Sequence, residues 1–472
     1  MNTYVFAEPG EKAAIMQALK KRGIEQAVFC GDIIGENFGN FNFRKNRVVA
    51  ASSKTKKISG WFEQMRPNLY LWTQDTLIKY GDYDEIEKQQ KNALNKHDWR
   101  TVKNWNELNY SMNYMDKKTH LNSRPICLQI ETGSFCNARC IMCDHHYKKN
   151  VGAKWLDRSM IKKLEPLLPY CKNIVLHGNG EPLLHPHIDE ILEYYAKFGI
   201  RFLINSNFSY LPYFFLENAE KCFDTVNVSC DAADEDLYEK IRCGLNFNLF
   251  KDNVRIFRMK NPNLRMVMSS VLMRQNIEDI LSQIRFAKNM GFDAIHFSML
   301  GTDSVLQNHR DELSCYPDIT KIYLDKAVNL AKQISIDIRI PECYLDYEEV
   351  SYARADEQKK QMQDLPFASW TGALETCGGK IVRAFPEKML KAGKAAEEVK
   401  CRWPFRNMRI DLDGNIGICC RTSQYYVGRL SDNCNIIDVW NGDIYRKLRR
   451  VVYEGSCPHL CENCSYRNMC GG

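Results

Sequence analysis

The feature that most constrains this fold is a strand–helix rhythm through residues 125–345. Six short apolar runs alternate there with amphipathic helical patterns. The runs lie at 126–130, 174–176, 201–204, 225–228, 266–272 and 294–297. Helices between successive strands predict a parallel sheet, and six such units predict an α/β fold with a partial (β/α)6 TIM-like barrel. In such barrels the chemistry collects where the strands end.

Three other parts surround the predicted barrel of residues 121–345. Residues 1–120 alternate strand and helix patterns and predict a small α/β domain, which ends at 84–120 in a polar linker helix rather than a core. Glu8-Pro-Gly-Glu stands where a dinucleotide-binding fold has Gly-x-Gly-x-x-Gly, so the domain is Rossmann-like but degenerate. Residues 346–400 predict a charged, helical insert, and residues 401–472 a compact module rich in cysteine.

Composition and charge limit which partners and which cellular location the sequence predicts. The net charge of +7 on 472 residues is too small to indicate nucleic-acid or membrane partners. We find no signal peptide and no apolar run near the ~18 residues that span a bilayer. We therefore expect a cytoplasmic protein, in which clusters among the 20 cysteines hold metals rather than disulfides.

Three cysteines follow the first barrel strand within eight residues. Cys136, Cys140 and Cys143 have the spacing C-x3-C-x2-C. Zinc modules usually present cysteines in pairs, whereas three thiolates on one loop suit a [4Fe-4S] cluster that keeps one iron open. Zinc remains the alternative metal, and His145 or His146 an alternative fourth ligand.

Further motifs follow the next strands in order, and together with the cysteine loop they resemble the radical S-adenosylmethionine (SAM) enzymes over residues 125–300. The motifs are Gly178-Asn-Gly-Glu181 after the second run, Asn205-Ser-Asn207 after the third, Ser229-Cys-Asp231 after the fourth, and Arg242-Cys-Gly244 one helix later. The chain departs from the family at three positions: Met142, Asn179 and Phe208.

The resemblance implies that the open iron binds the amino and carboxylate groups of SAM, which is then cleaved to a 5′-deoxyadenosyl radical. It also implies an electron donor such as a flavodoxin or ferredoxin. Eight residues are implied to bind SAM: Gly178, Asn179 and Gly180 by close backbone approach, Glu181 at the amino group, Ser229 and Asp231 at the ribose or carboxylate, Arg242 at the carboxylate, and Asn205 beside them. Structural alternatives stay open: a plain strand residue for Ser229, a salt bridge for Arg242 and a turn residue for Asn205.

The C-terminal module has its own cysteine pattern. Asp413-Gly414 predicts a hairpin turn that brings Cys401 and Cys419 to one end, and the basic run 445–450 predicts a solvated helical face. The module resembles the SPASM/Twitch extension of radical SAM enzymes. That resemblance implies one auxiliary [4Fe-4S] cluster, with structural zinc as the alternative. Its implied ligands are Cys401, Cys419, Cys461 and Cys464, with Cys420, Cys457 and Cys470 as further possibilities.

The function implied is therefore radical SAM chemistry on a substrate that the sequence does not identify. An auxiliary cluster can accept an electron from a substrate radical, which makes a net two-electron oxidation feasible. We expect an enzyme that oxidises or epimerises a sugar- or cyclitol-like small molecule, because residues 1–120 resemble modules fused to sugar and surface-polymer enzymes. The alternative is a maturase that modifies a peptide or protein. No catalytic residue is assigned from the sequence.

Overall fold

The computed structural model describes most of the two cysteine-bearing regions and parts of the flanking segments. The described residues are 3–6, 11–24, 27–29, 47–51, 69–73, 76–143, 154–176, 178–300, 309–340, 375–377, 380–382, 401–419, 426–431 and 434–454. Within them the strands form sheets of five, ten and two strands. No helix in these ranges is long and apolar enough to cross a membrane.

The N-terminal domain is a small, mostly parallel sheet with one helix against it. Its elements are β1 (Thr3–Phe6), α1 (Lys12–Lys21), β2 (Val28–Phe29), β3 (Arg47–Ala51), β4 (Leu69–Thr73) and β5 (Thr76–Lys79). The strand order is β2-β1-β3-β4-β5, and only the β4–β5 pair in it is antiparallel. Val5, Ile15, Leu19 and Val49 form its buried centre. The parallel sheet predicted for this region is therefore confirmed for the strands described.

Two helices connect this domain to the barrel, α2 (Tyr83–Asn95) and α3 (Trp99–Met115). The sequence predicted a polar linker, but α3 buries Trp105. Its buried Asn106 donates to the carbonyl oxygens of Arg124 and Tyr170 at 3.0 and 3.2 Å. Lys103 Nζ donates to the carbonyl oxygens of Phe198 and Gly199, which precede the third barrel strand. Polar side chains that satisfy buried carbonyls look solvated in a sequence, which is why the prediction of a helix outside the core was wrong for α3.

The barrel contains the predicted strands and one more. Its strands are β6 (Cys127–Ile130), β7 (Asn173–Leu176), β8 (Arg201–Ser206), β9 (Phe223–Ser229), β10 (Arg265–Leu272), β11 (Ala294–Met299) and β12 (Asp337–Arg339). The helices around them are α4 (Arg158–Lys163), α5 (Ile188–Ala196), α6 (Tyr213–Cys222), α7 (Glu235–Ile241), α8 (Phe247–Lys260), α9 (Ile280–Asn289) and α10 (Pro317–Gln333). All neighbouring pairs from β6 to β12 are parallel. The predicted α/β fold with a partial barrel is confirmed.

Alternation along the strands separates a helix-covered face from the barrel interior. In β8, Phe202 and Ile204 are buried in the core while Asn205 is exposed. Ser298 in β11 and Arg339 in β12 are also exposed, although they lie within strands. Because successive side chains of a strand point to opposite faces, these polar positions line the interior. The interior is therefore polar at the end where the strands finish.

Most of the predicted insert at 346–400 lies outside the described residues. Two short strands are described there, β13 (Glu375–Cys377) and β14 (Lys380–Val382), and they pair antiparallel. The prediction of a helical insert otherwise falls on residues that the structure does not describe.

The C-terminal module extends the barrel sheet. It contains α11 (Trp403–Arg406), β15 (Asn407–Ile410), β16 (Asn415–Gly417), β17 (Gly428–Arg429), α12 (Ile436–Trp440) and α13 (Asp443–Tyr453). The predicted hairpin is confirmed: β15 and β16 pair antiparallel, and Gly414 in the turn has φ +76°. The strand β15 also pairs in parallel with β6, the first barrel strand. The ten-stranded sheet thus runs through both modules.

The basic run of α13 contains a buried anchor. Arg449 is fully buried and donates to the carbonyl oxygens of Pro404, Thr119 and Trp440, each at 2.9 Å. Its guanidinium also lies 4.4 Å from the centre of the Trp440 ring. The prediction of a solvated face was wrong at Arg449, because a side chain with five N–H donors can be buried among carbonyls.

Candidate functional site

The three predicted cluster ligands lie on the loop after β6, at the edge where the parallel strands end. Cys140 is buried, Cys136 half-buried and Cys143 exposed. Burial raises the pKa of Cys140 to about 12, and the neighbouring Cys143 and Cys136 thiols add to the rise. Burial likewise raises the pKa of Cys136 to about 11. Cysteines bind metals as thiolates, so a cluster on this loop would have to displace these protons.

Polar hydrogens are directed at one of these sulfurs. The backbone N–H of Ala138 donates to Cys136 Sγ at 3.4 Å, and Asn207 Nδ2 lies 3.9 Å from the same atom. Hydrogen bonds to sulfur are a usual feature of iron–sulfur sites, since they stabilise the thiolate form. The donor set and its surroundings therefore fit a [4Fe-4S] cluster held by three cysteines.

The cysteine loop is fixed to the segment that carries Arg242. The backbone N–H of Arg139 donates to the carbonyl of Cys243 at 2.7 Å, and that of Ile141 to the carbonyl of Ile241 at 3.0 Å. Gly244, at φ +91°, would place a side chain 3.0 Å from the carbonyl oxygen of Asn137. The end of α7 and the cluster loop are thus one unit.

The 178–181 loop approaches the cysteine loop closely. A Cβ at Gly180 would lie 2.5 Å from the carbonyl oxygens of both Gly133 and Phe135, and the next residue, Glu181, donates its N–H to Phe135 at 2.8 Å. A Cβ at Gly178 would collide with the side chain of Glu131. The glycines are required by this close packing, whatever else binds here.

Glu131 is a site residue that the sequence analysis missed. It directly follows β6 and is buried. Its Oε1 accepts hydrogen bonds from the backbone N and side-chain Nδ2 of Asn179 at 2.9 and 3.1 Å. Its Oε2 lies 3.9 Å from Arg409 Nη2 of the C-terminal module. The available signal was its position, an acidic residue immediately after a buried strand at the catalytic edge.

Glu181 connects two motifs of the site. It is buried, and its Oε2 accepts from the backbone N–H of Asn207 at 2.7 Å while Oε1 accepts from that of Leu183 at 3.2 Å. Burial raises its pKa. The carboxyl group therefore joins the 178–181 loop to the turn after β8.

Phe208, where a glycine is common in the family, has a left-handed backbone. Its φ is +56°, a conformation that costs a side-chain-bearing residue about 1 kcal/mol or more. The ring is fully buried, with its centre 5.1 Å from that of Phe257 and 6.1 Å from that of Phe215. Burial of a phenyl ring stabilises by about 2 kcal/mol or more, which offsets the strain.

Asp231 and Arg242 are brought together as a buried ion pair. Arg242 Nη2 lies 2.7 Å from Asp231 Oδ2, and Asp231 Oδ1 accepts from the N–H of Val271 at 2.7 Å. The backbone carbonyl of Asp231 accepts from Asn276 and Gln283. Within the described ranges, Arg242 Nε has no hydrogen-bond partner. The structure therefore places Asp231 against Arg242 as a buried ion pair, which agrees with the salt-bridge alternative for Arg242, and the same burial removes Arg242 Nε from solvent.

The other two predicted SAM residues lie on the interior face of the sheet. Asn205 is exposed near the end of β8, and its neighbour in β9 is Asn227. Ser229 ends β9, is half-buried and stands opposite Ser269 of β10. Both face the space in front of the cysteine loop.

Two of the four predicted auxiliary ligands are described. Cys401 precedes α11 and Cys419 follows β16 by two residues, and both are half-buried. Since Asn407 of β15 is level with Cys127, the first residue of β6, these cysteines lie on the side where the parallel strands begin. Cys419 is close enough to Tyr445 to influence its pKa. The remaining predicted ligands and alternatives, Cys420, Cys457, Cys461, Cys464 and Cys470, lie outside the described residues, as do His145 and His146.

Two families match this sequence, each where its motifs lie. The Radical SAM superfamily matches residues 130–307, and the iron–sulfur cluster-binding domain SPASM matches residues 401–465. The AdoMet-dependent heme synthase of Methanosarcina barkeri is 22% identical over 182 residues, 38% of this chain and 52% of that protein. A UPF0026 protein of Helicobacter pylori is 24% identical over 182 residues, 36% of this chain and 59% of that protein. The chain spans about half the length of the curated relatives it matches.

Solved structures also align with most of the chain. Streptococcus suis SuiB bound to precursor peptide SuiA is 15% identical, with 75% of this chain and 72% of that one covered and a TM-score of 0.49. Native anSMEcpe with bound AdoMet and Cp18Cys peptide is 14% identical, with 74% and 88% covered and a TM-score of 0.47.

Fold and site together define a partial α/β barrel with a three-cysteine loop at the carboxyl edge of its strands. The sequence contains a Radical SAM superfamily domain at residues 130–307 and a SPASM iron–sulfur cluster-binding domain at residues 401–465. Its cofactors are a SAM-binding [4Fe-4S] cluster, SAM, and an auxiliary iron–sulfur cluster in the SPASM domain.

Proposed function

We propose that this enzyme cleaves SAM at the 136–143 loop and uses the resulting radical to oxidise a side chain of a peptide or protein. The observation that supports the SAM site is the convergence of the cysteine loop, the 178–181 loop and the Asp231–Arg242 pair at one edge of the sheet. When bound, the reduced cluster supplies one electron to the sulfonium, which gives methionine and the 5′-deoxyadenosyl radical.

The protein's own residues bind and orient SAM. Cys136, Cys140 and Cys143 would hold the [4Fe-4S] cluster, and the 178–181 backbone would receive the methionine amino group. Asp231 holds the buried Arg242 beside the cysteine loop, where the guanidinium charge would attract the methionine carboxylate. Asn205 and Ser229 face the same space and receive the ribose. The closely packed loops exclude water from the reacting carbon.

The shape of the barrel leaves room for a polypeptide substrate. Among the described strands, β12 and β17 stand at opposite ends of the ten-stranded sheet and do not pair with each other. An interior open along one side admits the residues that flank a reacting side chain. The exposed polar positions Asn205 and Ser298 offer partners for backbone amides and carbonyls. The sugar interpretation rested on a resemblance of the N-terminal domain, which forms no part of this interior.

The auxiliary domain completes the oxidation. Loss of a hydrogen atom leaves an unpaired electron on the substrate, and loss of a proton and that electron then gives a two-electron product. Cys401 and Cys419 lie on the side where β6 begins, whereas the cysteine loop lies where it ends. A strand of four residues spans roughly 13 Å. A substrate in the interior would thus lie between the radical source and the electron acceptor.

Anaerobic turnover tests the radical chemistry. Reconstituted protein with SAM and reduced flavodoxin, ferredoxin or dithionite should release 5′-deoxyadenosine, and Cys136→Ala, Cys140→Ala and Cys143→Ala should each abolish its release. Cys419→Ala and Cys461→Ala should still form 5′-deoxyadenosine while losing product formation. Absence of 5′-deoxyadenosine from wild-type protein with full iron content would refute the proposal.

The substrate class is tested by mass spectrometry. Short peptides encoded beside this gene and a panel of amino sugars and cyclitols are each incubated with enzyme, SAM and reductant. A loss of about two mass units from a peptide, equal to two hydrogens, supports the maturase. Oxidation or epimerisation of a sugar or cyclitol, with no peptide modified, would favour the small-molecule alternative.

A further inference from the structure

We propose that Glu131 and Arg409 form a positioning pair through which the SPASM domain sets the affinity for SAM. The inference rests on the assignment of the 178–181 loop to SAM in the proposed function. Glu131 directly follows β6, and Arg409 lies on β15, which pairs with β6 in parallel. Arg409 is in register with Gln129, two residues before Glu131, so both side chains point to the same face of the sheet.

One carboxylate oxygen of Glu131 holds the 178–181 loop in place through hydrogen bonds. Oε1 accepts from both the backbone N–H and the side-chain amide of Asn179. The absent side chain of Gly178 allows the loop to lie directly on Glu131 Cγ. A charged acceptor makes these two hydrogen bonds stronger than neutral ones. The conformation of the 178–181 backbone therefore depends on the position and charge of Glu131.

The other oxygen of Glu131 faces the auxiliary domain. Oε2 lies 3.9 Å from Arg409 Nη2, and the two side chains are only 7% and 10% exposed, Glu131 being the more buried. Removing one member of a buried ion pair leaves an uncompensated charge, which must move or neutralise. Loss of the Arg409 charge would thus displace the Glu131 carboxylate, and that displacement weakens its hydrogen bonds to Asn179.

The pair continues into the SPASM hairpin. Burial raises the pKa of Tyr426, and the neighbouring Asp411 and Arg409 also influence it. Asp411 in turn accepts from the backbone N–H groups of Asp413 and Asn415 in the hairpin turn. A connected polar network therefore runs from Asn179, at the SAM loop, to the turn of the auxiliary domain. Changes in that hairpin reach the SAM site through contacts and need no rearrangement of the barrel.

A second ion pair between the same two modules provides a matched control. Lys154 and Asp413 also join the barrel to the hairpin turn, but their side chains are 44% and 42% exposed. Exposed pairs contribute little because water and salt screen them. If contact between the modules in general sets SAM affinity, both pairs should matter. If the buried network does so, only Glu131 and Arg409 should.

The test measures SAM binding to full-length, anaerobically reconstituted protein by equilibrium dialysis, with iron content and melting temperature recorded for each variant. Arg409→Met should raise the Kd for SAM about tenfold or more, equivalent to about 1.4 kcal/mol, at unchanged iron content. Glu131→Gln keeps an acceptor for Asn179 but loses the negative charge and can turn its amide N–H groups towards Arg409. It should therefore weaken SAM binding to a similar extent. Arg409→Lys should recover most of the affinity, and Lys154→Met should match wild type.

Two further measurements separate coupling from misfolding. Hydrogen exchange of the 178–181 amides should be faster in Arg409→Met without any SAM present, and the double variant should be no weaker than either single one. Wild-type affinity in Arg409→Met and Glu131→Gln, equal weakening by Lys154→Met, or loss of iron in parallel with SAM would each overturn the inference. Failure of iron-replete wild type to bind SAM would instead refute the proposed function.

Discussion

Replacing Gly180 with alanine tests the packing on which the proposed SAM site depends. The added Cβ would stand 2.5 Å from two backbone carbonyl oxygens, those of Gly133 and Phe135. Side-chain carbons in proteins do not come closer than 3.0 Å to such atoms. The 178–181 loop and the 133–135 backbone must therefore separate by at least about 0.5 Å. Both obstructing atoms belong to the backbone, so neither can rotate away as a side chain could.

The expected cost follows from the contacts that would be lost. Overpacking of this kind costs about 1–3 kcal/mol, and the hydrogen bond from Glu181 N to Phe135 O, 2.8 Å long, contributes about 1 kcal/mol more. Phe135 immediately precedes Cys136, so the displacement reaches the cluster loop. Because only the native arrangement of these loops is expected to bind SAM, a cost of about 2–4 kcal/mol to that arrangement should weaken SAM binding by roughly 30-fold or more.

The assay is the Kd for SAM in anaerobically reconstituted protein, together with 5′-deoxyadenosine formation and iron content. Gly81→Ala is the control: it forces alanine to φ +88° with no atom within 4 Å, so it strains the chain by about 1 kcal/mol away from the site. Gly180→Ala protein that holds full iron and binds SAM like wild type would refute the reasoning. Equal effects of the two variants would also refute it.

Three further variants probe buried charges and one buried ring. Arg242→Met should lower the free energy of unfolding of the apoprotein by about 3–5 kcal/mol in urea, because Asp231 stays buried without its cation; Asp231→Asn combined with it should recover part of the loss. Arg449→Met leaves three buried carbonyls without donors and should lower the free energy of unfolding by about 3 kcal/mol or more, measured as a lower Tm. As a control, Arg450→Met at an exposed position should change stability by less than about 0.5 kcal/mol. Burial lowers the pKa of His185, and its Nδ1 accepts a backbone hydrogen bond, so the neutral ring is favoured. The unfolded chain then binds a proton more readily than the folded one, so stability should fall as the pH drops below the ordinary histidine pKa of about 6.5. In His185→Gln the urea midpoint of unfolding should depend less on pH between pH 5 and 7.5. The same pH dependence in wild type and His185→Gln would contradict this assignment.

The strands and motifs of the barrel could be predicted because their signals are local. Each apolar run of the core reappears as a strand within a few residues, and the Asp413-Gly414 turn forms its hairpin. The cysteine and glycine motifs lie at the strand ends as a parallel barrel requires. Helix α3 was misjudged because its polar residues satisfy carbonyls of another element, which no local pattern records.

The pairings between distant segments could not be predicted. Asp231 and Arg242 were each predicted to contact SAM. The structure instead shows them as an ion pair, because helix α7 between them brings the two side chains together. Glu131 looked like an ordinary acidic residue until β15 placed Arg409 beside it. Such contacts are determined by how elements pack, and a single sequence shows the elements without their partners.

The pairing of β15 with β6 has a consequence for the synthesis of the chain. The edge of the first barrel strand is covered by residues 407–410, which follow it by about 280 positions. At roughly 5–20 residues per second, a ribosome needs on the order of 15–55 s to supply them. During that time a nascent barrel exposes an unpaired strand edge, which can pair with another chain. Translation speed and chaperone supply should therefore limit the yield of this enzyme before any cluster is inserted.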